Sequence, residues 1–166
     1  NADAEVAKLY RKSRKCYSKL KKALPNHITS FPVKKSELLK AITVNRQSLK
    51  KIVKIIHPEV RSRMNKFINK NKNKKFVILD IPLFLENKMN KKSDILIFID
   101  AKKKEINKRL KKRQNENLKI IEKFKKLQLP VEFKKKHSDF TIKNNFRNNL
   151  TKKNVKKILE KILSNA

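Results

Sequence analysis

The 166-residue chain contains no glycine, no tryptophan, one cysteine and five prolines. Average usage of about 7% would place roughly a dozen glycines in this length. Their absence excludes a glycine-rich phosphate cradle from these residues and leaves left-handed turns without their usual occupant. Cys16 alone cannot form an internal disulfide, which fits a reducing, cytoplasmic compartment. No apolar run approaches the roughly 20 residues of a membrane span, so no membrane role is expected. Acidic residues are scarce, 14 against 47 basic, giving a formal charge of +33. Such an excess repels itself and favours anionic partners. Codon bias in an AT-rich genome would also enrich lysine, asparagine and isoleucine, so the charge alone does not define a function. The opening "NADAEVAKLY" is neither a signal peptide nor an initiator methionine context, and is expected to follow a missing amino-terminal segment.

What is present suffices for one domain with a core, at 38% hydrophobic residues. Residues 5–24 carry Val6, Leu9, Tyr10, Tyr17, Leu20 and Leu24 mostly at helical spacing, predicting one amphipathic helix that ends at Pro25. Ser36 is placed to cap the helix "ELLKAI", and Asn45 to cap "RQSLKKIVKII" with its stripe of Leu49, Ile52, Val53 and Ile56. Pro58 is expected to restart a helix bearing Val60, Met64, Phe67 and Ile68. Two continuous apolar runs follow, "FVILDI" at 76–81 and "DILIFID" at 94–100, which read as strands buried on both faces. Helices are predicted in "KKKEINKRLKKRQ", "NLKIIEKFKKLQ", "PVEFKKKH" and residues 151–163, with "DFTIKN" as a third strand.

Buried strands alternating with helices indicate an α/β chain with a parallel, doubly wound sheet, in which ligands bind at the carboxyl ends of strands. Asp80 and Pro82 lie at such an end. A carboxylate there can hold a hydrated magnesium ion or orient a polar group, and proline can fix the turn that bends the next residues over a substrate. Position alone equally allows Asp80 to cap the following turn.

Four stretches, in order, resemble the dephospho-CoA kinase family. "VILDIPLFLE" resembles its strand ending in Asp-x-Pro-Leu-Leu-Phe-Glu, with Phe84 and Leu85 in exchanged order. "IIHPEVR" resembles its His-Pro element and downstream arginine. "INKRLKKRQ" resembles the helix delivering two arginines to a lid, and "KKLQLPVEFKKKHSDFTIKNN" the run into the last strand and its asparagine. "NAD" at 1–3 resembles the family's Asp-Ala-Asp, with Asn1 in place of the first aspartate. The resemblance implies a parallel-sheet P-loop kinase fold with helical substrate-binding and lid segments. In this sequence the first strand and the Walker A loop, Gly-x-x-x-x-Gly-Lys-Ser/Thr, are missing.

The activity implied is transfer of the ATP γ-phosphoryl group to the ribose 3′-hydroxyl of dephospho-CoA, with Mg2+. Asp3 is implied as the base that accepts the hydroxyl proton. His57, Arg61, Asp80, Pro82 and Leu83 are implied in acceptor binding, with Asp80 reaching metal only through water. Arg109 and Arg113, four apart on one helical face, would meet phosphate oxygens, although "KRLKKR" would form a solvated basic face in any protein. Asn144 would lie near the adenine, and the glycine the family often has nearby is here Phe146 or absent. Residues 5–75 form the implied acceptor-binding region and 109–137 the lid, within a single incomplete domain. The runner-up readings are a basic RNA-binding or ribosome-associated module and another nucleotide kinase of the same fold. No aromatic-rich RNA signature or zinc-ligand spacing favours the former. Nothing in the sequence sets the oligomeric state.

Two outcomes are expected. The family places its first strand between 76–81 and 94–99, so these two either flank an open slot or pair directly. The 166 residues alone should transfer no phosphate, because no loop amides or Walker lysine hold the β and γ phosphates. ADP release with dephospho-CoA should stay at background; clear turnover by the purified chain would overturn that expectation.

Overall fold

A computed structural model describes residues 1–112 and 127–164. The chain divides into two compact units, Asn1–Pro82 and Leu83–Ala166.

The first unit is helical: α1 (Ala2–Lys12), α2 (Arg14–Ala23), α3 (Lys35–Val44) and α4 (Arg46–Lys70). The expected single helix over 5–24 is two. Ser13 leaves helical geometry at φ −94°, ψ 99°, its hydroxyl accepts from Cys16 N at 3.2 Å, and its own N–H closes α1 on Leu9 O. The apolar spacing runs through this break because both helices face one core, so periodicity alone does not reveal it. That core consists of Leu9, Cys16, Leu20, Leu24, Ile28, Val33, Leu38, Ala41, Ile42, Ile52 and Ile56. Helices α1, α2 and α3 each pack on α4.

Asn45 caps α4 as expected, its side chain accepting from Gln47 N at 2.8 Å. Ser36 is not the cap of α3. That helix begins two residues earlier than expected, with Lys34 at the cap position, and Glu37 reaches back to its N–H. The same carboxylate accepts from Thr29 N, Thr29 Oγ1 and Ser30 N, which ties the loop before α3 to its first turn. Pro58 does not restart a helix, since α4 runs through it for 25 residues. A proline inside a helix removes one backbone bond and costs about 3 kcal/mol. The burial of Ile52 and Ile56, within the two turns before it, works against that cost.

Residues 76–81 are not a buried strand. They belong to no ladder among the described residues, and Ile78 is 86% exposed. A continuous apolar run specifies a strand only when partners lie on both sides, and the described residues supply none to it.

The second unit carries the mixed α/β part expected from the sequence. It contains β1 (Ile97–Asp100), α5 (Lys103–Lys112), α6 (Val131–Lys136), β2 (Phe140–Lys143) and α7 (Asn148–Ser164). The strands pair in parallel, with Ile97 opposite Phe140 and Asp100 opposite Lys143. Asp139 extends the ladder at its start, its carboxylate accepting from Leu96 N at 2.7 Å, and Asn144 N extends it at its end, donating to Asp100 O at 2.7 Å. The expected burial of the 94–100 run on both faces is not found: Ile97 and Ile99 are 43% and 52% exposed. Helix α7 packs on β2, whose Ile142 is buried. The helix read into "NLKIIEKFKKLQ" falls largely outside the described residues.

Glu37 supplies a test of the first unit. Burial alone would raise its pKa, but hydrogen bonds from Thr29, Lys34 and Ser30 outweigh it and hold the carboxyl down to about 2. A depressed carboxyl stabilises the fold above its unfolded value near 4.3, and the contribution is lost as pH falls toward 2. Glu37→Gln should thus cost on the order of 1–3 kcal/mol at neutral pH. Denaturant melts of the two proteins should converge as pH falls from about 4.5 toward 2; a gap independent of pH would contradict this account.

Candidate active site

In the first unit, the first turn of α1 is fastened to residue 80. Ala2 N donates to Asp80 O at 2.9 Å, and the Asn1 side-chain amide donates to the Asp80 carboxylate. Asn1 also caps the helix, its Oδ1 accepting from Ala4 N at 3.0 Å. One asparagine therefore bridges two of the predicted elements. An aspartate at position 1 could cap the helix but could not donate to Asp80 when ionised. Asp3, in the same turn, is exposed, and no described side chain engages its carboxylate. Asp80 and Pro82 are exposed as well.

Helix α4 runs alongside. Glu5 of α1 pairs with Arg63 at 3.0 Å, and Glu59 pairs with Lys15 of α2 at 2.7 Å. Near these anchors the exposed His57 and Arg61 lie one turn apart, because the helix continues through Pro58. Partial burial, and then the Arg61 charge, lower the His57 pKa below its ordinary value. At neutral pH His57 is thus a neutral hydrogen-bonding group, and the fixed positive charge of the pair belongs to Arg61.

In the second unit, Leu83 opens a run of turns and has φ 55°, a left-handed conformation uncommon for a branched side chain. Its carbonyl accepts from Asn87 N and from Asn87 Nδ2 at 2.7 Å, which holds the turn. Glu86, the last residue of the Asp-x-Pro-Leu stretch, accepts from Leu129 N at 3.0 Å and lies 3.4 Å from Lys134 Nζ. Burial would raise its pKa, but its own N–H, that of Leu129 and the Lys134 charge together lower it. Glu86 thereby ties the turn to the start of α6. It was visible in the sequence as the end of the motif, but no local pattern pointed to its partners 43 and 48 positions away.

The parallel register brings the carboxyl ends of β1 and β2 side by side. There Asp100 pairs with Lys135 at 3.2 Å, and Asn144 follows β2. Asn144 Oδ1 accepts from Phe146 N at 2.8 Å, and Phe146 has φ 60°. The Arg109 guanidinium, from α5, lies over the Phe146 ring with its carbon 3.9 Å from the centroid. Two predicted nucleotide residues, Arg109 and Asn144, are thus brought to one end of one sheet. Phe146, named in the sequence only as a departure, is the residue that joins them. Arg113 lies outside the described residues. At the carboxyl end of a parallel sheet, a guanidinium, an amide and an ammonium suit an anionic nucleotide.

Among the described residues no group of three or more His, Cys, Asp or Glu side chains could hold a metal ion, and no helix is long and apolar enough to cross a membrane.

The family model described as dephospho-CoA kinase matches residues 1–150. Among curated proteins, the chain is similar to the dephospho-CoA kinase of Wolbachia sp. subsp. Brugia malayi (strain TRS), at 33% identity over 86% of this chain and 73% of that protein. It is also similar to the dephospho-CoA kinase of Bartonella quintana (strain Toulouse), at 30% identity over 99% of this chain and 85% of that protein. The matched range spans residues of both units, and positions 3, 57, 80, 109 and 144 fall within it. The chain belongs to the dephospho-CoA kinase family.

Proposed function

We propose that these residues serve ATP-dependent phosphorylation of the ribose 3′-hydroxyl of dephospho-CoA, giving coenzyme A. The observation that carries this reading is the family match over residues 1–150. Phosphoryl transfer asks a protein mainly to position two substrates and neutralise charge, and the residues available divide between those tasks.

Asp3 is the general base. Its carboxylate is exposed in a helix turn that Asn1 and Ala2 fasten to residue 80, so its backbone is held while its oxygens stay open to a substrate hydroxyl. His57 and Arg61 bind the acceptor, the arginine supplying charge and the histidine a neutral hydrogen bond. Pro82 and Leu83 shape the turn beside it, and residues 5–75 form the acceptor-binding region. Arg109, with Arg113, offers planar donors to the phosphates of ATP from a lid over 109–137. Asn144 adjoins the adenine.

Magnesium is the remaining component. With no cluster of ligating side chains among the described residues, an all-protein cage does not fit. A largely hydrated ion held by substrate phosphates, with Asp80 reaching it through water, does fit a lone exposed carboxylate. When bound, magnesium neutralises charge on the β and γ phosphates. Asp80 has one oxygen committed to the Asn1 amide, which fixes the carboxylate's orientation.

Two measurements test the reading. By calorimetry the chain should bind dephospho-CoA in preference to nucleoside monophosphates, and Arg61→Ala should weaken that binding about tenfold or more, as loss of a charged hydrogen bond does. Equal affinity for nucleoside monophosphates would point to another nucleotide kinase of the same fold. In an active form of the enzyme containing these residues, Asp3→Asn should lower kcat roughly 10²-fold or more with little change in acceptor affinity. Full rate with lost affinity would make Asp3 a binding residue.

A further inference from the structure

Phe146 follows β2 at φ 60°, a conformation that costs a residue with a β-carbon about 1–2 kcal/mol. The Asn144 side chain stabilises it by accepting the Phe146 N–H, and Asn144 is itself anchored on Asp100 O. The outcome is a half-buried ring facing the guanidinium of Arg109, 37 positions earlier in the chain.

We propose that Phe146 is a positioning residue for Arg109, setting the plane of its guanidinium so that the in-plane donors meet the ATP phosphates. This rests on the nucleotide role given to Arg109 above and adds a residue to it. A guanidinium can be oriented in two ways. A carboxylate partner uses its in-plane N–H donors and cancels its charge, whereas a ring beneath it uses only a face. Among the described residues no carboxylate pairs with Arg109, and the ring is its partner. As far as the described residues go, the in-plane donors and the charge therefore stay open to a ligand, while motion about the long side chain is restricted. The guanidinium is also exposed, so the donors face solvent rather than the protein interior. In a chain so rich in lysine, a general positive potential needs no special device. A fixed plane does, because bidentate recognition of phosphate depends on orientation as well as charge.

The ring contact also links two elements. Arg109 belongs to α5, whereas Phe146 is held by the end of the β1–β2 ladder through Asn144 and Asp100. Fixing the guanidinium on that ring ties its position to the sheet end instead of leaving it to the helix surface alone.

The test is a double-mutant cycle read by calorimetric titration with ATP of an active form of the enzyme containing these residues. Arg109→Ala should weaken ATP binding about tenfold or more. Phe146→Leu, which keeps bulk but removes the π face, should weaken it about two- to fivefold, the usual scale of an exposed cation–π contact. Phe146→Tyr should retain the wild-type affinity. In the Arg109→Ala background, Phe146→Leu should have no further effect, a non-additivity that general damage to the fold would not produce. Dephospho-CoA affinity, measured on the same samples, should be unmoved by either Phe146 variant. If Phe146→Leu leaves ATP affinity unchanged while Arg109→Ala lowers it, the positioning role is wrong and the nucleotide role of Arg109 stands. Equal losses from Phe146→Leu in both backgrounds overturn the positioning role in the same way. If Arg109→Ala has no effect on ATP affinity, the nucleotide role itself fails and takes the inference with it.

Discussion

A backbone that must turn left-handed without glycine has to place a side chain there, and three described residues do so: Leu83, Lys88 and Phe146, at φ 55°, 49° and 60°. Each costs about 1–2 kcal/mol relative to an ordinary conformation and persists only where neighbouring bonds over-determine it. At Leu83 the carbonyl is held by both nitrogens of Asn87 that can donate. At Phe146 the N–H is held by Asn144. Asparagine, abundant in this chain, thus supports turns that glycine would otherwise make without help. Two of the three positions adjoin residues given a role in the reaction.

The two units secure their proposed residues by different means. In the first, a helical core built around α4 supplies the rigidity, and the residues proposed for the acceptor sit on its polar margin. His57 and Arg61 need the helix to stay continuous through Pro58, and the buried isoleucines at 52 and 56 hold that segment against the lost backbone bond. Among the described residues of the second unit Ile142 is the buried one, and position comes from polar contacts: Asp139 to Leu96, Asn144 to Asp100, Lys135 to Asp100, Glu86 to Leu129. Polar contacts near a surface contribute roughly 1 kcal/mol each or less.

How much of this the sequence disclosed follows from the range over which each feature is determined. The stripe of Leu49, Ile52, Val53 and Ile56 predicts α4 because helix packing repeats within a turn or two. The third strand and the closing helix were legible for the same reason. The break at Ser13 was not, since the apolar pattern runs on across it. The run 76–81 was misread because an apolar sequence reports a tendency to be buried, and burial requires neighbours that a local window does not contain. Among the candidate residues, Asp3, His57, Arg109 and Asn144 come from resemblance, whereas Asp80 is first marked by its place at the end of an apolar run; charge and spacing alone equally allow capping or solvated roles. The Arg109–Phe146 contact and the bridge from Asn1 to Asp80 depend on tertiary placement, and no pattern in the sequence announces either.

Charge gives the last step of the argument about Asp3. Carboxylates are scarce in this chain, and most described ones are committed: Glu5 to Lys8 and Arg63, Glu59 to Lys15, Asp100 to Lys135, Glu37 and Asp139 to backbone N–H groups, Asp80 to Asn1. With basic residues in such excess, a lysine or arginine is available to almost any exposed acid. Asp3 and Glu105 are the described acids that no side chain or backbone group engages through their carboxylates. Both lie in the first turn of a helix, where the dipole favours a negative charge without consuming its oxygens. For Glu105 that placement is a sufficient account. Asp3 differs in standing two residues from Asn1, whose amide fixes the turn on Asp80, so an uncommitted carboxylate is held at a defined place beside a committed one. A general base needs that combination: oxygens left open to accept a proton, on a backbone that does not move.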